Sequence, residues 1–317
     1  MFNHRPAFWE TTGILSKILS PLSLIYYFYS KYLFLSTKKY KSSCKTICVG
    51  NIALGGSGKT PIVIELVKSL NIIGKKVCVL SRGYKGKLKG PIFVDIENHT
   101  ACQVGDEPLQ IARYCPVIIA KNKLHGLKFA EANNYDYVIF DDGLQNPTIE
   151  YDFKILALQN NLGNNNIFPS GPLREKLTDA LKRVDCVIMP RELSNSNIIP
   201  IDALNVTKVY HYNYICDTML NPNTGYLLFS GIAYPQKFFN LVAKQKIEIK
   251  KTIIYPDHYM FNNSDLEKII THARKIGCKI VTTEKDYVRL PQNYKDQIIA
   301  FYVHLNINNI EFLVKNL

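Results

Sequence analysis

Thr46-Ile47-Cys48-Val49-Gly50-Asn51-Ile52-Ala53-Leu54-Gly55-Gly56-Ser57-Gly58-Lys59-Thr60-Pro61 is the stretch on which the fold turns. Thr46–Val49 is a short apolar run of strand character. From Lys59 through Leu70 the apolar residues recur at helical spacing, and the pattern ends near Gly74. The loop between them carries Gly55, Gly56 and Gly58, which accept positive φ angles, so successive backbone N–H groups can turn inward toward an anion. The start of the following helix adds partial positive charge. Lys59 is placed to reach the β- and γ-phosphates of a nucleoside triphosphate, and Thr60 to offer its hydroxyl to Mg²⁺. Pro61 falls in the first helical turn, where no internal N–H bond is lost. Ala53 replaces the usual first glycine of this pattern. A glycine-rich turn that merely precedes a helix would leave Lys59-Thr60 unexplained. The expected nucleotide-binding residues are therefore Ala53, Leu54, Gly55, Gly56, Ser57, Gly58, Lys59 and Thr60.

Outward from this loop, short apolar strands alternate with helical stretches. Lys76–Leu80, Val117–Ala120, Tyr137–Phe140 and Lys154–Leu158 read as strands, and Glu107–Arg113 and Leu124–Asn133 as helices. This alternation predicts an α/β fold of P-loop NTPase type, a mainly parallel sheet with helices on both faces. On such sheets ligands bind beyond the carboxyl ends of the strands. Around Val187–Ile215 the alternation blurs. A smaller C-terminal α/β unit begins near Gly225, with strands through Phe229, at Thr252–Tyr255 and at Lys279–Thr283. The expected division is 1–40, 41–220 and 221–317.

Polar clusters follow the strands. Tyr137–Phe140 ends in Asp141-Asp142, and a carboxylate in that position of a phosphate-loop protein holds magnesium; by itself the pair could equally be a cap or turn. Arg82-Gly83-Tyr84-Lys85 follows the second strand. Asp106 and Glu107 stand at a helix start, where capping is the plain alternative. Arg174, in Gly171-Pro172-Leu173-Arg174-Glu175, offers a guanidinium able to grip phosphate with two bonds. Asp257-His258 follows a strand of the C-terminal unit.

The chain has 317 residues, 47% of them hydrophobic, and a formal charge of +13. Compositional bias toward Lys, Asn, Ile and Tyr is one explanation of the charge; an anionic partner is the other. The distribution favours the second. Residues 1–45 hold seven basic side chains against Glu10 alone, around the longest apolar stretch, Ile14–Leu35. Lys17, Lys31 and Pro21 interrupt that stretch, which is too short to span a bilayer unaided. With Tyr26, Tyr27, Tyr29 and Tyr32 inside it and Lys38, Lys39 and Lys41 just after it, it suits a membrane-interface helix on an anionic surface. A buried core helix is the alternative. The eight cysteines form no C-x-x-C pair, so reduced buried thiols are expected. No aromatic stacking module or recognition motif points to nucleic acid.

In this order the clusters resemble the tetraacyldisaccharide 4′-kinase family, the lipid A 4′-kinases of Gram-negative bacteria, over nearly the whole chain. The likeness runs from Val49-Gly50-Asn51 and Gly55–Pro61 through Ser81-Arg82-Gly83-Tyr84, Val104–Pro108, Asp141–Gln145 and Gly171–Glu175. It ends with Gly231–Pro235, Asp257-His258 and Thr283-Glu284-Lys285-Asp286. The resemblance implies an ATP- and Mg²⁺-dependent kinase at the cytoplasmic face of the inner membrane. It would phosphorylate the 4′-hydroxyl of a tetraacylated glucosamine disaccharide 1-phosphate, a lipid A precursor. It further implies Asp106 as general base assisted by His258, with Lys59 on the transferring phosphate. Thr60 and Asp141 would hold the metal with Asp142 or Glu107 in support, and Arg82, Lys123 and Arg174 would bind substrate or phosphate. Asn146 stands where the family usually has His, and Lys123 where Arg is common. Two rival readings are a P-loop GTPase, since Thr283-Glu284-Lys285-Asp286 partly matches a guanine-reading element, and a non-catalytic membrane-recruited ATP switch.

Overall fold

The structure is a computed structural model and describes residues 6–54, 58–159, 162–193 and 208–317. It divides into two compact units. The larger takes in Arg5–His99, Gln103–Asn213 and Leu305–Leu317; the smaller takes in Tyr214–His304 with Thr100–Cys102.

The strands are β1 (Tyr40–Lys41), β2 (Lys45–Gly50), β3 (Val77–Ser81), β4 (Ile92–Phe93), β5 (Val117–Ile119), β6 (Tyr137–Asp141), β7 (Ile149–Glu150) and β8 (Phe153–Ala157). There follow β9 (Cys186–Pro190), β10 (Val209–Cys216), β11 (Gly225–Ser230), β12 (Glu248–Ile254), β13 (Lys279–Thr283), β14 (Ile298–Phe301) and β15 (Val303–Ile307). Nine of them form one sheet in the order β15-β10-β9-β8-β2-β6-β3-β5-β4. The central pairings β8·β2, β2·β6, β6·β3 and β3·β5 are all parallel, and the short β4 at one edge runs antiparallel to its neighbour β5.

The sequence dictates that centre directly. Ile47, Cys48 and Val49 of β2, Val77–Leu80 of β3 and Val138–Phe140 of β6 are buried without alternation, as strands covered on both faces must be. Each fully buried aliphatic side chain contributes roughly 1.5–3 kcal/mol. The register aligns the carboxyl ends: Val49 pairs with Asp141 on one side and Ile155 on the other. The segment after β2 and the turn after β6 therefore emerge at the same edge. The blurred region around Val187–Ile215 contains β9 and β10, paired in parallel; among the described residues it carries only a 3₁₀ turn, Arg191–Leu193. Its periodicity was weak because Tyr210, Tyr212 and Tyr214 alternate with His211 and Asn213 in β10, and residues 194–207 lie outside the described set.

Helix α1 (Ile14–Ser36) runs unbroken through Pro21. Its inward side is polar. Ser16 and Ser23 are its buried residues, and they bond to the segment Asn164–Ser170. The Ser16 hydroxyl donates to the Ser170 carbonyl at 2.9 Å, the Ser170 hydroxyl to the Ser16 carbonyl at 2.7 Å, and Ser23 to the Ile167 carbonyl at 2.8 Å. Its outward side is apolar, with Ile14 80% and Leu35 74% exposed and Ile18, Ile25 and Phe28 between them. No helix among the described residues is long and apolar enough to cross a membrane.

The smaller unit is a four-stranded sheet, β12-β11-β13-β14, with every pairing parallel. Helix Asn263–Lys275 opens with a capping box between Asn262 and Asp265.

Candidate active site

The segment leaving β2 is pinned before it reaches the glycines. Ala53 bridges to Leu173 in antiparallel fashion, Leu54 N–H donates to the Pro172 carbonyl at 2.8 Å, and Arg174 N–H donates to the Ile52 carbonyl at 2.6 Å. Gly55, Gly56 and Ser57 lie outside the described residues. Gly58 then adopts φ 62°, the left-handed region that glycine enters without cost, and caps helix α2 (Lys59–Ile72). Lys59 opens that helix and Thr60 is buried behind it.

Beside them β6 ends in the carboxylate pair, and the two members differ sharply. Asp142 has a left-handed backbone, φ 62°, which Asp tolerates better than most residues. Its carboxylate accepts two bonds from Arg174 Nη1, each 3.0 Å, and lies 3.5 Å from Lys59 Nζ. Burial opposes its ionisation, but the Lys59, Arg174 and Lys123 charges outweigh that and hold the carboxyl well below the usual range. Asp141 is pushed the other way, to about 7, first by burial and then by the charge of Glu107. Its Oδ1 is buried with no hydrogen-bond partner among the described residues.

An unsatisfied carboxylate oxygen beside a second carboxylate is what a hard divalent cation relieves. No group of three or more His, Cys, Asp or Glu side chains is arranged as a self-contained metal cage among the described residues. Mg²⁺ takes one or two carboxylates and completes its shell with water and phosphate oxygens. Asp141 and Glu107, close enough to feel each other's charge, offer carboxylate oxygens to such an ion.

The Asp141 shift has a measurable consequence. Its carboxyl keeps a proton in the folded chain between its ordinary value near 4 and about 7, while the unfolded chain loses it. Without added magnesium, this group's contribution to stability falls as pH rises through that window and is level above it. Added Mg²⁺ displaces the proton, so its stabilisation should be larger at pH 8 than at pH 5.5 in thermal melts. Asp141→Asn should abolish the difference; an equal Mg²⁺ shift at both pH values would remove Asp141 from the metal site.

Lys123 opens helix α5 (Lys123–Ala132), but its ammonium points to the backbone of the pair, donating to the Asp142 carbonyl and, at 3.4 Å, to the Asp141 carbonyl. Burial lowers its pKa against the pull of Asp142, Cys48 and Asp141. In this structure the side chain expected to bind substrate or phosphate fixes the turn. Asn146, the other departure from the family pattern, accepts from Thr148 N–H and hydroxyl at 2.9 and 2.8 Å and closes the next turn.

Asp106 and Glu107 open helix α4 (Asp106–Ile111), which follows the short α3 (Ala101–Val104), and Asp106 is 5% exposed. Gly105 precedes them at φ 93°; a Cβ there would stand 2.6 Å from the Tyr84 carbonyl oxygen. The loop after β3 thus packs its backbone directly on the entry to α4. Lys121 Nζ braces that loop from the Gly83 and Gly86 carbonyls at 2.8 and 3.2 Å. Arg82 is exposed at the loop's start.

His258 belongs to the smaller unit. Its φ is 59°, its N–H donates to the Gly231 carbonyl at 2.9 Å, and Nε2 lies 3.7 Å from Asp257 Oδ2. The Gly231 loop is held in turn by Asp286, which is 0% exposed and accepts from Ser230, Gly231 N–H, Thr283 and Arg289. A guanine-reading aspartate must face its ligand. Asp286 is spent inside the fold, so the Thr283–Asp286 element is structural and the GTPase reading loses its support.

Three participants carried no expected role. Gln145 Nε2 donates to the Asn51 carbonyl at 2.9 Å and to Glu175 at 2.8 Å, while its Oε1 accepts from Arg174 at 3.0 Å. Arg183 joins them through Glu175. Gln145 and Glu175 stood within conspicuous motifs, but Arg183 had no local signal. The cysteines are free, and burial pushes the Cys48, Cys115 and Cys186 thiols up to about 12, whereas Cys102 is exposed and Cys216 and Cys278 are half-buried, against the expectation of buried thiols throughout.

Residues 15–316 match the family model described as tetraacyldisaccharide-1-P 4′-kinase. The chain is 35% identical over 295 residues to the tetraacyldisaccharide 4′-kinase of Parvibaculum lavamentivorans, covering 90% of this chain and 86% of that one. It is 36% identical over 301 residues to the enzyme of that name from Bradyrhizobium sp. strain ORS 278, covering 91% and 86%. Among solved structures it is similar to Aquifex aeolicus LpxK, described as an "apo" form in complex with ATP. That match has a TM-score of 0.77 and 26% identity, and covers 95% of this chain and 98% of that one.

Proposed function

Because the chain belongs to the tetraacyldisaccharide 4′-kinase family, we propose that it moves the γ-phosphate of ATP to the 4′-hydroxyl of a tetraacylated glucosamine disaccharide 1-phosphate in lipid A biosynthesis. The observation that carries this reading to the residues is one convergence. Lys59, Asp142 and Arg174 meet beside the orphaned Asp141 at the carboxyl ends of β2 and β6.

Phosphoryl transfer asks for positioning and charge neutralisation more than covalent chemistry. In a P-loop arrangement the amides of Ala53–Thr60 and Lys59 grip the β- and γ-phosphates. Mg²⁺, when bound, would offset the charge of the phosphates; Asp141, Thr60 and Glu107 would hold it. Arg174, already held at Asp142, is placed to follow the charge of the transferring group. Asp106 is the general base that accepts the sugar hydroxyl proton. Arg82 offers an exposed cation to the acceptor's own phosphate. The test is direct: purified protein, Mg-ATP and disaccharide 1-phosphate acceptor in detergent should yield a product one phosphate heavier by mass spectrometry. No such product across several acyl lengths would refute the assignment.

Helix α1 is the part that meets the lipid. Its exposed Ile, Leu, Phe and Tyr side chains, with Lys38, Lys39 and Lys41 just beyond its end, suit the headgroup region of an anionic leaflet, the cytoplasmic face of the inner membrane. Replacing Ile18, Ile25 and Phe28 together by Glu should weaken partitioning onto anionic vesicles by at least about tenfold, since each side chain alone is worth ~1.5 kcal/mol or more when buried. Sedimentation with vesicles measures this; unchanged partitioning would assign membrane attachment elsewhere.

A further inference from the structure

Arg183 lies beyond the groups that meet phosphate, yet three of its contacts converge on them. It follows the short helix α6 (Leu177–Leu181). Its Nη1 donates to the Leu144 carbonyl at 2.7 Å, in the turn that carries Asp142. Its Nη2 reaches both carboxylate oxygens of Glu175, next to Arg174. Its guanidinium plane lies 4.5 Å over the ring of Phe34, in the last turns of α1.

Glu175 passes the constraint on. Because its Oε1 and the Asn51 carbonyl both accept from Gln145 Nε2, the Gln145 amide can face Arg174 only with its oxygen. Arg174 Nη1 is thereby held between Gln145 and Asp142, and Asp142 stands 3.5 Å from Lys59. An unbroken run of contacts leads from Phe34 through Arg183, Glu175, Gln145, Arg174 and Asp142 to Lys59. The same side of α6 is seated on α1 twice more. The Tyr27 hydroxyl donates to Asp179 at 2.6 Å, and Lys176 Nζ lies 4.8 Å over the Tyr27 ring.

We infer that Arg183 is a positioning residue for phosphoryl transfer, one that carries the seating of α1 into the alignment of Arg174 and Asp142. The inference rests on the reading of Lys59, Asp142 and Arg174 as the phosphate site. Only a planar fork can serve two acceptors on different segments while stacking on a ring; an ammonium at the same place is a point charge. Loss of the fork leaves the charge and frees the Gln145 amide, so Arg174 is no longer directed at Asp142. Misplacement of this kind costs turnover and leaves ATP binding, which the loop amides supply, nearly intact.

The experiment is steady-state kinetics on the full chain with detergent-dispersed acceptor. Arg183→Lys should lower kcat on the order of tenfold to a hundredfold while KM for ATP stays within about twofold. Glu175→Gln, which keeps an amide oxygen for Gln145 but loses the ion pair, should do the same and serves if Arg183→Lys does not fold. Phe34→Leu should cost less, and in the Arg183→Lys background it should add nothing. Wild-type kcat in a folded Arg183→Lys or Glu175→Gln variant overturns the inference. Full multiplication of the Phe34 and Arg183 effects overturns its link to α1. Lys59→Ala is measured alongside: if it remains active, the site reading itself has failed, whereas an inactive Lys59→Ala with a normal Arg183→Lys rejects only the positioning role.

Discussion

Lys59→Ala loses on the order of a thousandfold or more in kcat, with the protein still folded. The magnitude follows from what the ammonium faces. It opens α2, where the N–H groups of the first turn point outward, and it pairs with Asp142 at 3.5 Å, itself gripped by Arg174. Charge that develops on the transferring phosphate meets this cation in a partly desolvated site, where a single well-placed donor is worth roughly 10²–10³ and a cation on the phosphoryl group up to about 10⁵. Lys59→Arg is the useful companion, because it keeps the charge and changes only reach and shape. Rates of product formation at saturating Mg-ATP measure both. A drop of only a few-fold in Lys59→Ala would mean that the loop after β2 does not hold the reacting phosphates.

Asp106→Asn costs about 10²–10⁴ in kcat, the range of a general base in proton transfer. The side chain is buried at the first position of α4 in a backbone fixed by the close approach of Gly105 to Tyr84, so the amide occupies the same place. Shape is retained and the ability to accept a proton is lost, so a rate loss at constant thermal stability isolates the base. The pH dependence of kcat is the second reading. The acid limb set by a carboxylate base should vanish in Asp106→Asn, while a retained limb would assign that limb to another group.

Much of this was legible in one dimension because the features are local. The strand, loop and helix at 46–70 lie within one βα unit, and the burial of β2, β3 and β6 on both faces gives uninterrupted apolar runs. Asp141 and Asp142 were conspicuous at a strand end. Their opposite fates were not. Asp142 is fixed by Arg174, thirty-two positions away, and Asp141 is tuned by burial and by Glu107 from the first turn of α4. Arg183 was invisible for the same reason: nothing near it in sequence distinguishes it from any basic residue after a short helix. Asp286 shows the converse. Its motif invited a ligand, but four donors converge on it inside the fold. Helix α1 is a third case. Its apolar content was plain, yet nothing in the sequence marked Ser16 and Ser23 as the residues that seat it, because a polar contact face reverses the usual amphipathic rule.

That reversal ties the chain's thermodynamics to its surroundings. A lamella or micelle that covers the outward face of α1 binds the native chain and has a different affinity for the unfolded one, so it enters the folding equilibrium as a ligand does, by mass action. Melting temperatures then depend on how much amphiphile is dissolved, and two variants rank reliably only at the same detergent or lipid concentration. In water alone the same face has one other way to leave solvent, against a second copy of itself, which makes dilution a variable as well.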